Sequence, residues 1–518
     1  MTEITEQSIV AMAAPSSIEQ QDMLPNRNDS HNRPIGAIPH GLEFIEILIT
    51  NYAKTIESGS WTASNTQLLE LLEYIASNGG TNKESPAHIF YSYERSTCLF
   101  HIFLGPEDTY THPTLFEERL RSVFIDLTYI EEPRVLTTQF DQIIYNENAC
   151  RWLGDHNIPW ANIDVQDAVD GTLILKFNHQ IDFNATRRCM DAANSCWNRS
   201  KSHLQLLDEV VNGRIRNPDP NLVYSLALVH PDNENIVPMS EKYPKGTAVL
   251  VDVRRKYTCE KVPFSTKDMP NITLPRAKFH TVASWNDLIE MLADMDSRIA
   301  KTKKLESEGF VLRVYYDAEK TVLRKILKLQ TRVYRELKEM RPNTGNHYEL
   351  VLGLFLKENL NAYMRWSNID NETKKWIMVA YKKLVEEVHN VYHMTRLKKN
   401  PEIYTALTGS WKSRMFELHG IYLENRKNGI NSSVSVNAVD RCLRECPTKE
   451  IVHMISDRIQ IVKNMRNLLS NGDIQDTQPF YHCSEIEDLS DEFSAEYQSK
   501  TTYKSAAKNN KKVIKNAD

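Results

Sequence analysis

The feature that most restricts the fold is a change of hydrophobic period near Thr331. Before it, short apolar runs bounded by Pro, Gly, Asn or Asp dominate: Ala87–Tyr91, Val123–Leu127, Leu173–Phe177, Val223–Val229, Ala248–Val253 and Gly309–Val314. Such runs read as strands. Helical stretches are expected between them at Phe183–Leu207 and Trp285–Ile299. Without strict strand-helix alternation the pattern predicts an α+β domain with a largely antiparallel sheet. After Thr331 the apolar residues recur three and four apart. Ile377, Tyr381, Leu384, Val388 and Tyr392 form one stripe behind a candidate cap, Asp370. Asn400-Pro401 reads as a cap with proline in the first turn. Ile451, Ile455, Ile459, Val462 and Met465 mark a further amphipathic helix. An all-α domain is therefore expected after the α+β one.

The chain has 518 residues, and single cores rarely grow beyond about 250–300. Four segments are expected: a disordered N-terminal stretch at 1–40, an α+β domain at 41–330, a helical domain at 331–470 and a charged, disordered tail at 471–518. Leu42–Leu48 and Leu68–Ile75 read as helices ahead of the first strand. In the tail Glu485, Glu487, Asp488, Asp491, Glu492 and Glu496 make an acidic block, followed by Lys504, Lys508, Lys511, Lys512 and Lys515. A net charge of −5 excludes a globally basic nucleic-acid surface, so any such contact must come from a local patch. Eight scattered cysteines without a Cys-x-x-Cys pair favour a reduced, intracellular protein, cytoplasmic or nuclear. The first 32 residues lack a basic-then-apolar signal pattern. No run approaches the ~18 apolar residues of a membrane span, so no membrane partner is expected.

Within the strand-rich part, Ile163–Phe177 carries Asp167-Ala168-Val169-Asp170-Gly171-Thr172. Taken alone, this reads as a hairpin whose Gly171 adopts a positive φ. The string resembles the Lys-x-Asp-Gly motif of covalent nucleotidyltransferases, in the setting found in phage-type, tRNA-repair RNA ligases. In that family the lysine attacks the α-phosphate of ATP, and Ala168 stands at its position. Further strings follow in the family's order from about Arg121 to Tyr334. Arg121 matches a motif arginine, and Gln142, in Phe140-Asp141-Gln142-Ile143-Ile144-Tyr145-Asn146-Glu147-Asn148, stands where a lysine would be. Tyr224–Val237 resembles the Phe-Glu-Phe strand and its Pro-x-Asn-x-Ile-Val continuation, with Ala227 replacing the ribose-binding glutamate. Ser307-Glu308-Gly309-Phe310-Val311 matches Glu-Gly-x-Val, whose glutamate serves metal-assisted transfer. Leu327–Tyr334 resembles Lys-x-Lys-Ser-x-x-Tyr, keeping Lys328 and substituting Gln330 for the second lysine.

The resemblance implies a nucleotidyltransferase (RNA-ligase-like) fold with its structural positions kept, Asp170 and Gly171 among them, and its chemistry removed at Ala168, Ala227, Gln142 and Gln330. Four dispersed losses do not suit an engineered knock-out of a working enzyme. A nucleophilic lysine must lose its proton and attack phosphorus, which alanine cannot do. The leading expectation is an inactive RNA-ligase-like protein that binds RNA, with tRNA one candidate, or a protein partner, and needs no cofactor. Two alternatives stay open: an active ligase with ATP and magnesium whose nucleophile is displaced, for example to Lys176, and a structural component reusing the scaffold. Lys325, Arg332, Arg335 and Lys338 are the candidate RNA-binding residues. No metal site is expected. His389 and His393, with Glu386 near, and Cys442 with Cys446, have the spacing of ligands without a full set and read as ordinary helix residues.

Overall fold

The computed structural model describes residues 42–57, 59–80, 89–105, 114–139, 143–197, 201–233, 235–238, 243–344, 346–367, 369–397, 401–429 and 433–470. The expected N-terminal stretch, the charged tail with Cys483, Asn400 and Gln142 lie outside them. The chain divides into two compact units, one through Glu336 and the other from Leu337 onward with Trp197 added to it. The division falls inside a single helix, Arg332–Met340.

The first unit opens with helices α1 (Glu43–Ala53) and α2 (Asn65–Asn78). A capping box starts α2: Ser64 accepts from the Gln67 amide while the Gln67 side chain accepts from the Ser64 N–H. Both helices pack on an antiparallel sheet of β1 (Ile89–Glu94), β2 (Leu99–Leu104), β3 (Ser122–Asp126) and β4 (Arg134–Thr138), with the short α3 (Leu115–Arg119) between β2 and β3. Ile45, Ile49, Leu68, Leu71 and Ile75 meet Phe100, Ile102, Val123, Ile125 and Val135 in one core. Period-2 alternation gives that sheet a second apolar face, where Leu99, Phe124 and Leu136 pack on Leu175, Phe177, Phe183 and Val223. Buried Glu46 of α1 accepts the Val135 amide at 2.7 Å, so its charge is met by a backbone donor of β4.

Two further sheets follow. Their strands are β5 (Ile144–Tyr145), β6 (Ile163–Ala168), β7 (Thr172–His179), β8 (Ile181–Ala185), β9 (Leu222–Val229), β10 (Thr247–Arg255), β11 (Phe279–His280), β12 (Gly309–Tyr315) and β13 (Leu323–Gln330). The intervening helices are α4 (Asn146–His156), α5 (His203–Val211) and α6 (Trp285–Thr302). One sheet has the order β10-β9-β7-β8 and the other β11-β6-β12-β13-β5. All pairings are antiparallel except β13 with β5. Mixed helices and antiparallel sheets are thus present, as the strand-like runs predict.

Two local expectations fail. Phe183–Leu207 is not one helix. Its first residues form β8, folded back on β7 through Gln180 at φ +63°, and helix resumes only at His203. Pairing with β7 supplies backbone partners and packs Phe183 on Phe177, contacts that a helical segment would forgo. Nor do β6 and β7 form a hairpin: β6 belongs to the five-stranded sheet and β7 to the other, so Val169–Gly171 carries the chain from sheet to sheet.

The second unit is helical. Beyond the helix α7 (Arg332–Met340) it contains α8 (His347–Leu356), α9 (Leu360–Met364), α10 (Asn371–Tyr392), α11 (Pro401–Ala406), α12 (Gly409–Lys427), α13 (Val436–Arg444) and α14 (Thr448–Ser470). Asp370 caps α10 as expected, accepting the Thr373 amide at 2.7 Å. Ile377, Tyr381, Leu384, Val388 and Tyr392 are all buried. No described helix is long and apolar enough to cross a membrane.

Arg458 of α14 donates to Glu387 of α10, and both side chains are almost wholly buried. Removing one partner strands a charge in the core. Arg458→Met alone is expected to cost about 3–5 kcal/mol, whereas Glu387→Leu with Arg458→Met recovers most of it. Urea unfolding of the full chain, read as a double-mutant cycle, measures both.

Candidate functional site

Three of the resemblance strings, those of Ala168, Glu308 and Lys328, meet at one end of the five-stranded sheet. Gly309 pairs with Ala168 on one side and Gln330 on the other, so the ends of β6, β12 and β13 lie in a single row. Gly309 has φ +143°, and a Cβ there would stand 2.1 Å from the Leu329 carbonyl oxygen. Only glycine fits. Gly171 is different from expectation: it is not in the left-handed region, and its missing Cβ instead admits the Leu228 carbonyl, 2.6 Å from where a Cβ would be.

Asp170 works as a clamp. Its Oδ2 accepts the amides of Ile236 and Val237 at 2.5 and 2.8 Å, and its Oδ1 accepts the Tyr334 hydroxyl at 3.1 Å. Two segments distant in sequence, 236–237 and that of Tyr334, are tied to the sheet crossing. Burial, then the charge of Glu308, pushes the Asp170 carboxyl up, against the pull of the two amides and Lys328. Burial and the same two carboxylates drive the Tyr334 phenol strongly upward, keeping it a neutral donor.

Glu308 is 3% exposed and both its oxygens are taken. Oε2 accepts Lys328 Nζ at 2.9 Å, and Oε1 accepts Gln330 Nε2 at 2.7 Å. Gln330 is held from behind by Asn146, which donates to its Oε1 at 3.0 Å and accepts its amide at 2.9 Å. Burial works against the Lys328 charge, but Glu308, Tyr145 and Asp170 outweigh it and raise its pKa. The arrangement is a connected set of polar groups around two buried ones, Glu308 and Gln330.

Residue 168, where the resemblance places a lysine, is apolar and covered. Ala168 is 3% exposed, with Ser307 Oγ donating to its carbonyl at 3.3 Å. Ala227 faces directly across to Leu173 on β7 and Val249 on β10. Those two, with Val169, pack on Ala227, Val251 and Ala277 as a small apolar cluster. Lys176, the alternative nucleophile, lies on β7 in the other sheet from Ala168, with its ammonium 3.9 Å from Asp182.

Arg121 stands immediately before β3 in the first sheet, and Gln142 lies outside the described residues. The basic cluster is partly spent on carboxylates. Lys325, 8% exposed, reaches Glu118 of α3 at 2.6 Å, and Arg335 meets Glu147 at 2.6 Å. Arg332 is exposed, 3.9 Å from Glu336, and Lys338 is exposed on the last turn of α7. Sequence reasoning missed Asn146, whose signal was its place within the Gln142 string and whose φ of +48° suits asparagine. It also missed His280, whose Nε2 lies 2.6 Å from Asp167 Oδ1, because β11 is two residues long and carries no periodicity.

Among the described residues no group of three or more His, Cys, Asp or Glu side chains could hold a metal. His389 and His393 both point Nε2 at the Val434 carbonyl, at 3.1 and 3.3 Å. Cys446 donates to the Cys442 carbonyl at 3.1 Å, an ordinary i, i−4 contact.

Lys328→Met should strand Glu308 and cost about 3–5 kcal/mol at neutral pH. The unpaired carboxyl then has a raised folded-state pKa, so the variant recovers stability on acidification and loses it as pH rises. In the native chain the loss falls in a different pH window. Its raised Lys328 contributes fully below the ~10.4 of a free lysine and is lost only above that. Urea midpoints across a pH series distinguish the two.

No family model matches the chain. Over 144 residues it is 28% identical to "Translation initiation factor IF-2" of Rickettsia prowazekii (strain Madrid E), covering 27% of this chain and 17% of that protein. The chain thus spans about a sixth of the length of that curated relative. The solved structures similar to it include two of an archaeal ATP-dependent RNA ligase. Form 1 gives 14% identity, coverage of 59% of this chain and 73% of that one, and a TM-score of 0.34. Form 2 gives 15%, 60%, 74% and 0.35. The likeness concerns the mixture of helices and antiparallel sheets, and it carries no argument about chemistry.

Proposed function

We propose that this chain is a non-catalytic, RNA-ligase-like protein whose retained role is non-covalent binding. The observation that carries the reading is the connected Glu308 network beside an alanine at the nucleophile position. One oxygen of the Glu308 carboxylate is engaged by Lys328 and the other by Gln330, so a magnesium ion would have to compete with a buried ion pair and an amide donor for it. The only side chain at residue 168 is a methyl group. The row Leu173, Ala227 and Val249 offers no acceptor to a ribose hydroxyl. These residues do not fit a nucleoside triphosphate with its metal, and no adenylylation step is derived from them.

The binding role is assigned to RNA, with tRNA the finer reading that the motif resemblance supports. Exposed Arg332 and Lys338 can make phosphate contacts, which position a nucleic acid without reading its sequence. Lys325 has no part in this, since its charge is buried against Glu118.

Incubation with labelled ATP and magnesium should leave no covalent label on the protein. Ala168→Lys should fold and still give no lysyl-AMP, because correct placement of the nucleotide and the surrounding cations is absent. Only a combined change with Ala227→Glu, Gln142→Lys and Gln330→Lys is expected to restore any. Robust labelling of the native chain, acid-labile and stable to boiling in detergent, would establish an active ligase with a displaced nucleophile.

Filter binding to tRNA-sized RNA should weaken with salt, as counterion release requires. Arg332→Ala with Lys338→Ala should lower both affinity and the salt slope, the slope by roughly one unit for each phosphate no longer neutralised. No binding at low salt would move the retained role to a protein partner.

A further inference from the structure

Along the exposed side of α10, residues Asn371, Lys374, Lys375, Met378, Val379 and Lys382 line a groove of about 400 Å³. Met378 and Val379 are 41% and 40% exposed at its floor. Lys374 donates to the neutral Asn361 side chain at 2.6 Å, and among the described residues no carboxylate pairs with Lys374, Lys375 or Lys382. The surface therefore offers apolar area edged by uncompensated positive charge, which fits an acidic amphipathic segment better than a neutral one.

The chain carries such a segment. In Ser484-Glu485-Ile486-Glu487-Asp488-Leu489-Ser490-Asp491-Glu492-Phe493-Ser494-Ala495-Glu496, the apolar residues Ile486, Leu489 and Phe493 recur at i, i+3 and i+7. A helix would place them on one face with acids on both flanks. We propose that residues 484–496 of this chain dock as a helix on the lysine-edged groove of α10.

Reach allows it. Arg458 of α14 touches Glu387 of α10, which fixes where the two helices meet. From there Ser470 lies about 18 Å along α14 and Val379 about 12 Å along α10 at 1.5 Å per residue. The connecting residues 471–483 span up to about 43 Å when extended. The segment can reach the groove whichever way α14 runs. Tethering also raises its local concentration to the millimolar range, so a weak contact suffices.

The test uses the full-length protein at low micromolar concentration. Carbodiimide, which joins an amine to a carboxylate only in contact, should link Lys374, Lys375 or Lys382 to acids within 485–496, read by peptide mass spectrometry. Lys374→Glu with Lys375→Glu and Lys382→Glu should abolish those links and speed amide exchange in 484–496 severalfold. Adding Glu487→Lys, Asp488→Lys and Glu492→Lys should restore the slower exchange. Should the lysine variant melt earlier than the native chain, Ile486→Ser with Leu489→Ser and Phe493→Ser tests the same contact from the segment. Absence of the links in the native chain, exchange unaffected by either variant, or links found only between isotopically distinct chains would overturn the proposal.

Discussion

A buried carboxylate must be neutralised or hydrogen-bonded, and at Glu308 that requirement organises the end of the five-stranded sheet. Its carboxylate draws Lys328 and Gln330 of β13 toward it, and Gln330 in turn fixes Asn146 at the start of α4. The same sheet row brings Ala168 and Gly309 together. Asp170 then closes the crossing to the neighbouring sheet through the 236–237 amides and Tyr334. Polar side chains that could have served a substrate are used here to hold strands.

Four of the groups that remain from the resemblance, Asp170, Glu308, Lys328 and Tyr334, are ones whose removal would leave a buried donor or acceptor unpaired. The groups replaced, at 168 and 227, are side chains whose substitution by alanine leaves an apolar surface, and at 227 that surface is filled by Leu173, Val249 and Val251. Gln330 shows the intermediate case. It has no charge, yet it satisfies Glu308 and Asn146 at once, so it is compatible with the fold while removing a cation from the site.

Charge on the surface follows a different logic from charge in the interior. Lys325 and Arg335 look available in a linear sequence, but each meets a carboxylate brought near by folding, more than 180 residues away in both cases. Lys374, Lys375 and Lys382, ordinary in sequence, line an open groove instead. The distribution of unpaired positive charge is thus a property of the folded helical unit as much as of its composition.

Local rules were enough for the mixture of strands and helices and for the Asp370 cap and the buried stripe of α10, because each depends on neighbours within a few positions. They were not enough for the fate of Phe183–Leu207, where pairing with β7 supplied contacts that periodicity cannot register. Asp170-Gly171 reads as a hairpin by its turn chemistry. It became a crossing between sheets because β6 found its partner in β12, about 140 residues later, and β7 found its own in β9. The roles of Asn146 and His280 were likewise decided by tertiary structure alone, since a hydrogen bond between residues more than 100 positions apart has no signature in either chain segment.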